Sequence, residues 1–335
     1  MILVMPPKKS ESTVIRLEAE GPVNPSAPYA ASAYAFADED NSFDMADFRK
    51  NVKLEISSIA PSELCFSLTG VDAPIANAFR RIMIGEVETV AIDKVHLWQN
   101  TGVMHDEVLV HRIGLVPIQL GACSVQDVDA AKEEVGSVEW DQTRAIKFRL
   151  HKKCPADFPK GDSLEVTSGD LIFVPQNSQQ KDWIGDQIPH SVSDSILLTK
   201  LRPGQEIEAE FFCLRGSAKI HAKWSPVCSA TYRLQPLVSF TEPIRGEEAK
   251  RLVGLCPKKV FDIEDMEVRV KNVDNCSACR LCIEEFPGRV QLGKQRDRFL
   301  FTIESTGSLP AADIFAESIA ILREKAQKAR ANLKQ

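Results

Sequence analysis

The 335-residue sequence predicts an α+β fold, with helices and strands mixed near both ends and short strands filling the middle. Three observations carry this expectation. Residues 72–92 read as an amphipathic helix running into a strand, and residues 308–330 read as a second, longer amphipathic helix. Between about 102 and 236 the pattern changes to short apolar runs separated by Gly, Pro, Asp and Ser.

The elements follow in chain order. Residues 1–47 read as a disordered tail: Pro, Ser and Ala dominate 21–37, and Asp38, Glu39, Asp40 and Asp44 then add charge without apolar periodicity. Such a segment buries too little surface to offset its ordering entropy. Order is expected from Phe48. Val52, Leu54 and Ile56 alternate with polar neighbours, as do Leu64, Phe66 and Leu68, which predicts two half-buried strands joined near Pro61-Ser62. In the helix that follows, Pro74 suits the first turn and Asp72 places a carboxylate at the positive end. Ile75, Ala78, Phe79, Ile82 and Met83 form its apolar stripe, with Asn77, Arg80 and Arg81 beside it, and a strand with Val90, Ile92, Val95 and Leu97 comes next. One helix on a small sheet makes a thin core, so part of the stripe is left uncovered.

In the middle, Ile146, Phe148 and Leu150 alternate, residues 171–174 form a continuous apolar run, and Ile207, Ala209 and Phe211 alternate again. Phe299, Phe301 and Ile303 predict a late strand. In the final helix Ser308 is the expected cap and Pro310 falls in the first turn. Phe315, Ile319, Leu322 and Ala326 line one face, flanked by Ile314 and Ile321, and Arg323, Lys325, Lys328 and Arg330 favour its negative end. Two amphipathic helices from opposite ends of the chain thus present faces that want covering.

Composition narrows the function. The 44% hydrophobic and 26% charged residues are ordinary globular values, and a net charge of −6 argues against a free-standing nucleic-acid binder. No stretch approaches the roughly eighteen apolar residues of a membrane span, and the first residues lack the apolar core of a signal peptide. Nine unevenly spread cysteines read as reduced thiols. No spacing of Ser, His and Asp resembles a nucleophile motif, and the glycines match no phosphate-cradling pattern.

The constellation with chemical content is Cys276-x-x-Cys279-x-x-Cys282. Three thiolates at this spacing suit three corners of an iron–sulfur cubane. The usual fourth cysteine is replaced by Phe286, with Pro287 retained, but Cys256-Pro257 supplies a remote Cys-Pro of the kind that completes such clusters. The expected cofactor is one structural cluster, 4Fe–4S or 3Fe–4S, on Cys256, Cys276, Cys279 and Cys282; a zinc ion held by the same four thiolates is the alternative. Short strands at 260–263 and 267–270 and a helix at 279–285 give this segment a ferredoxin-like outline. His221 with Cys228 lacks further ligands and reads as structural.

Several long words carry a family resemblance. NAFRRIMIGEVETVAI (77–92) resembles the α-motif of the RNA polymerase α-like subunits, and HRIGLVPI (111–118), LRPGQEIE (201–208) and HAKWSPV (221–227) follow in that family's order. LRPGQEIE and SATYRL (229–234) look most like the branch shared by nuclear polymerases I and III. The resemblance implies a discontinuous dimerisation domain at 48–101 and 237–335, a β-rich insert at 102–236 and a ferredoxin-like module at 246–292. It implies a non-catalytic nuclear subunit that pairs with a small α-like subunit, supports the two largest polymerase subunits, and meets DNA only through the complex, with no membrane. The interface residues would be Ile75, Asn77, Phe79, Arg80, Arg81, Ile82, Met83, Phe315, Ile319 and Leu322. Arg112 is expected to join Arg80-Arg81 in such contacts. An archaeal D-type subunit and the third subunit of polymerase II remain alternatives. The scattered Cys123, Cys154, Cys213 and Cys228 depart from the clustered zinc site of the latter. A ferredoxin-like redox protein, from a different class, accounts for four cysteines and little else.

Overall fold

A computed structural model describes residues 14–18, 21–23, 44–120, 125–130, 144–159, 161–176, 180 and 188–333. In chain order, β1 (Val14–Leu17) and β2 (Pro22–Val23) precede α1 (Met45–Asn51), β3 (Lys53–Ile59), β4 (Glu63–Thr69), α2 (Ala73–Gly85) and β5 (Glu88–Asn100). Next come α3 (Asp106–Gly114), β6 (Ile118–Gln119), β7 (Ile146–Lys153), β8 (Leu164–Thr167), β9 (Ile172–Phe173), β10 (His190–Ser191), β11 (Leu197–Leu201), β12 (Glu206–Ser217) and β13 (Val227–Phe240). The last third adds α4 (Gly246–Leu255), β14 (Phe261–Glu264), β15 (Glu267–Val270), α5 (Leu281–Glu285), β16 (Val290–Ser305) and α6 (Ala311–Asn332).

The chain divides into two compact units. The first comprises Met1–Ser57, Cys65–Asn77 and Thr231–Phe301; the second comprises Ser58–Leu64, Ala78–Ala230 and Thr302–Gln335. These limits cut the chain differently from the boundaries expected at 101/102 and 236/237. The reason is hydrogen bonding: β12 pairs with β5 from Ile207↔Asn100 to Ser217↔Glu88, so the middle of the chain is not separable from the strand after α2.

In the first unit the sheet runs β2-β1-β16-β4-β3, with β13 joined to β16. Phe66 stacks on Phe301 at 4.9 Å, and the Tyr232 ring meets Phe299 edge-on at 5.4 Å. Two expectations change here. Val14–Leu17, inside the expected tail, is a strand whose residues pair with Leu292–Gln295 of β16. Two β-branched residues and a leucine suit a sheet edge even where composition looks disordered; the rest of that expectation lies largely outside the described residues. Residues of β3, expected to be half-buried, are exposed along the whole strand, which lies at the sheet's edge beside β4 with no described element covering its faces. The β14–β15 hairpin packs with α4 around Leu252, Val260, Phe261, Val268 and Phe286.

The second unit holds the antiparallel sheet β5-β12-β7-β9, cored by Phe148, Phe211, Ile92 and Leu150. Leu109 and Ile113 of α3 close that core, and α3 is a helix where only β-like runs were expected. Trp224, fully buried, lies against Gly216 and donates its Nε1–H to Leu214 O at 3.0 Å. Within this unit Phe79 meets Phe315 of α6 edge-on at 5.7 Å, and Lys325 Nζ reaches both carboxylate oxygens of Glu86 at 2.6 and 2.7 Å.

Candidate functional site

The first candidates are three apolar faces, one each on α2, α6 and β3. The α2 stripe is split between inside and outside. Ala76, Ile82 and Met83 point into the chain's own core, whereas Ile75, Asn77, Phe79 and Arg80 are half-buried and Arg81 is exposed. Ile82 and Met83, expected at an interface, therefore have no side-chain surface left for a partner. Asp72 stands just before α2, and burial, then the nearby Asp297, pushes its carboxyl above the usual aspartate range.

The α6 helix divides likewise. Its inward residues are Ala311, Ile314, Phe315 and Ser318, so Ile314 is central rather than flanking. Ile319 is 46% exposed, Leu322 is half-buried, and Ala326 and the described residues after it are exposed. The N-cap is Pro310 without a side-chain hydrogen bond, and Ser308 instead pairs with Thr306 Oγ1 at 3.0 Å. On β3, Leu54 and Ile56 share one face and are 45% and 56% exposed. Sequence reasoning does not name these two as interface candidates; their alternation, combined with an edge position, is the signal that finds them.

The second candidate site is the thiol recess. Cys256, Cys276, Cys279 and Cys282 all line one cavity, together with apolar Leu255 and Val260. Ala278 N–H donates to Cys276 Sγ at 3.4 Å, and Ala278 and Arg280 have φ of +54° and +73°. The left-handed region is costly for residues bearing a Cβ and is held only where surroundings impose it. Among the described residues the five such non-glycine positions, which include Lys259, Asp265 and Met266, all lie in this short segment. Burial, then the neighbouring Cys276 and Cys279, pushes the Cys282 thiol up to about 11. Among the described residues no three His, Cys, Asp or Glu side chains converge as ligands of one metal ion. Phe286, at the usual fourth-cysteine position, is part of the apolar core.

The quoted words meet around β5. Lys223 Nζ binds Asp93 at 2.6 Å and Ile92 O at 3.0 Å, Thr89 Oγ1 donates to Trp224 O at 2.7 Å, and His111 faces His221 with ring centres 6.2 Å apart. Arg112, an exposed residue, donates from Nε and Nη2 to the carbonyls of Leu198 and Leu197 at 3.1 and 2.9 Å and so pins β11. His221 accepts from Lys223 N and holds a turn, as a structural histidine does.

Residues 65–326 match the family model of the RNA polymerase Rpb3/Rpb11 dimerisation domain. The chain belongs to this family. It is 40% identical over 326 residues to the DNA-directed RNA polymerases I and III subunit rpac1 of Dictyostelium discoideum, covering 96% of this chain and 93% of the relative. Identity to subunit RPAC1 of polymerases I and III of Saccharomyces cerevisiae is 38% over 304 residues, covering 87% and 90%. The RNA polymerase II subunit rpb3 of Dictyostelium discoideum is 34% identical over 295 residues, covering 84% and 94%.

Proposed function

We propose that this chain is the non-catalytic assembly subunit shared by nuclear RNA polymerases I and III. It pairs with a smaller α-like subunit through Phe79, Ile319 and Leu322, and the pair supports the two largest subunits. The reading places the chain in nucleolus and nucleoplasm, serving synthesis of ribosomal and small RNAs, with DNA met only through the complex. The observation that carries it is that, within one organism, the polymerase I and III relative shares more of this chain than the polymerase II relative. The test is affinity purification of a tagged full-length chain followed by mass spectrometry. Recovery of the largest subunits of both polymerases I and III is expected; recovery of polymerase II subunits alone would overturn the assignment.

As part of the same reading, Cys256, Cys276, Cys279 and Cys282 hold one iron–sulfur cluster with a structural role. The residues present fit such a group. Each thiolate of a cubane binds a different iron, so the four must surround a recess rather than converge on one point, and these four line one recess. The N–H to Cys276 Sγ and the left-handed residues between the cysteines support it too. Bound there, the cluster would tie the α4 end to the loop before α5. The hairpin region has an apolar core of its own, so the cluster is expected to order that loop rather than to fold the whole segment.

A further inference from the structure

Next to the thiol recess, on the same unit, lies a second and wider recess of about 510 Å³. That falls within the roughly 300–1,000 Å³ of ordinary ligand clefts. Arg233, Lys258 and Lys259 line it, and among the described residues none of the three takes part in an ion pair. Several other cations of this unit are paired: Lys271 binds Asp262 at 2.6 Å, Arg289 binds Glu248 at 2.9 Å, and Arg245 binds Glu267. What marks this recess is that three cations outside any ion pair gather in it, in a chain of net charge −6.

The remaining lining is polar and of both senses. Asn275 and Ser277 can donate or accept, and Asp274 is a carboxylate held in place by Nε2 of the buried Gln235. A phosphate backbone offers only acceptors, and Asp274 repels it as it repels a carboxylate. A peptide offers carboxylates to the cations and N–H groups to Asp274. Among the described residues no aromatic side chain lines the recess, so there is no platform for stacking bases. Lys259 also holds a φ of +50°, a conformation that costs any residue with a Cβ. A left-handed lysine at the rim keeps a charge there that glycine, the easier choice for the backbone, would lack.

We infer that this recess docks an acidic peptide segment of a partner protein, whose carboxylates engage Arg233, Lys258 and Lys259. Lys258 and Ser277 line the thiol recess as well, so an occupant would bear directly on the cysteine loop. The inference does not depend on which metal the thiols hold.

The test is fluorescence anisotropy of a fluorescein-labelled hexaglutamate peptide with the purified full-length chain at low and at physiological salt. Binding that weakens with salt is expected. Lys259→Gly and Arg233→Gln should each weaken it by about fivefold, the worth of one solvent-exposed ion pair at the upper end of its range. Lys259→Gly also relieves the backbone, so its thermal midpoint should not fall below that of the parent chain. Lost binding in a variant that melts no earlier cannot be blamed on misfolding. An unlabelled neutral hexapeptide or an oligothymidylate should not compete. No binding at low salt, or affinity unchanged in the Arg233→Gln/Lys259→Gly double variant, would overturn the proposal. Competition by oligothymidylate as strong as by unlabelled hexaglutamate would overturn it too, in favour of a phosphate ligand.

Discussion

Ile319→Glu separates the two jobs that the α6 helix performs. The side chain is 46% exposed in the chain alone, and glutamate is a good helix former, so the fold should hardly notice the change. Pairing should notice it strongly. A partner covering Ile319 removes roughly 80 Å² of apolar surface from water, worth about 2 kcal/mol at about 25 cal/mol per Å². Stranding a carboxylate in the contact adds about 1–3 kcal/mol of desolvation. The sum lowers affinity for the small α-like partner by at least about a hundredfold. Co-expression of the full-length chain with that partner, pull-down and a titration by light scattering would read the loss, with a thermal melt of the chain as control. Met83→Ala is the converse: its side chain is fully buried within the chain, so it should destabilise the fold by about 2–5 kcal/mol. If Ile319→Glu pairs as well as the parent, α6 is not the covered face, and the assignment of the interface fails.

Other consequences are as direct. Gly216→Ala would put a Cβ 2.6 Å from Trp224 Cε2 in a ring that is boxed in, so a loss of about 1–3 kcal/mol in denaturant unfolding is expected. Cys279→Ser, purified anaerobically, should lose visible absorbance and bound iron while retaining the circular dichroism of the parent; colourless parent protein with stoichiometric zinc would instead point to a four-thiolate zinc site. Burial alone would raise the Glu86 carboxyl, but hydrogen bonds from Lys325 and Lys219 outweigh it and hold the group below the usual glutamate range. A lowered folded value means stability present above the unfolded value and lost as pH falls through the folded one. Glu86→Gln should therefore flatten the acid limb of stability between about pH 3 and 5, read from urea midpoints against pH.

Much of the fold was legible because local periodicity carries it. The 3.6-residue recurrence marked α2 and α6, and alternation marked β4, β7, β12 and β16. The strands expected at 260–263 and 267–270 form the β14–β15 hairpin with a one-residue shift at its start. The spacing of Cys276, Cys279 and Cys282 with the remote Cys256-Pro257 singles out four thiols, and all four line one recess. The α3 helix was hidden by its short length and by the mixed faces of residues 106–114, whose helicity depends on Leu109 and Ile113 finding the core of β5, β7 and β12.

By itself the sequence determined which residues share a face, which thiols are spaced for one cluster, and which words tie the chain to its family. Periodicity is a property of one element, so it reaches no further than that element. Only the tertiary structure decided that Ile82 and Met83 face inward while Ile319 stays open, that Leu54 and Ile56 sit on an uncovered edge, and that Arg112 bonds to its own chain's carbonyls. It alone set Arg233 beside Lys258 and Lys259, residues far apart along the chain. The physical reason is the same in each case. Burial and charge pairing are settled by what the rest of the fold places opposite a side chain, and that neighbour is named nowhere in its local sequence.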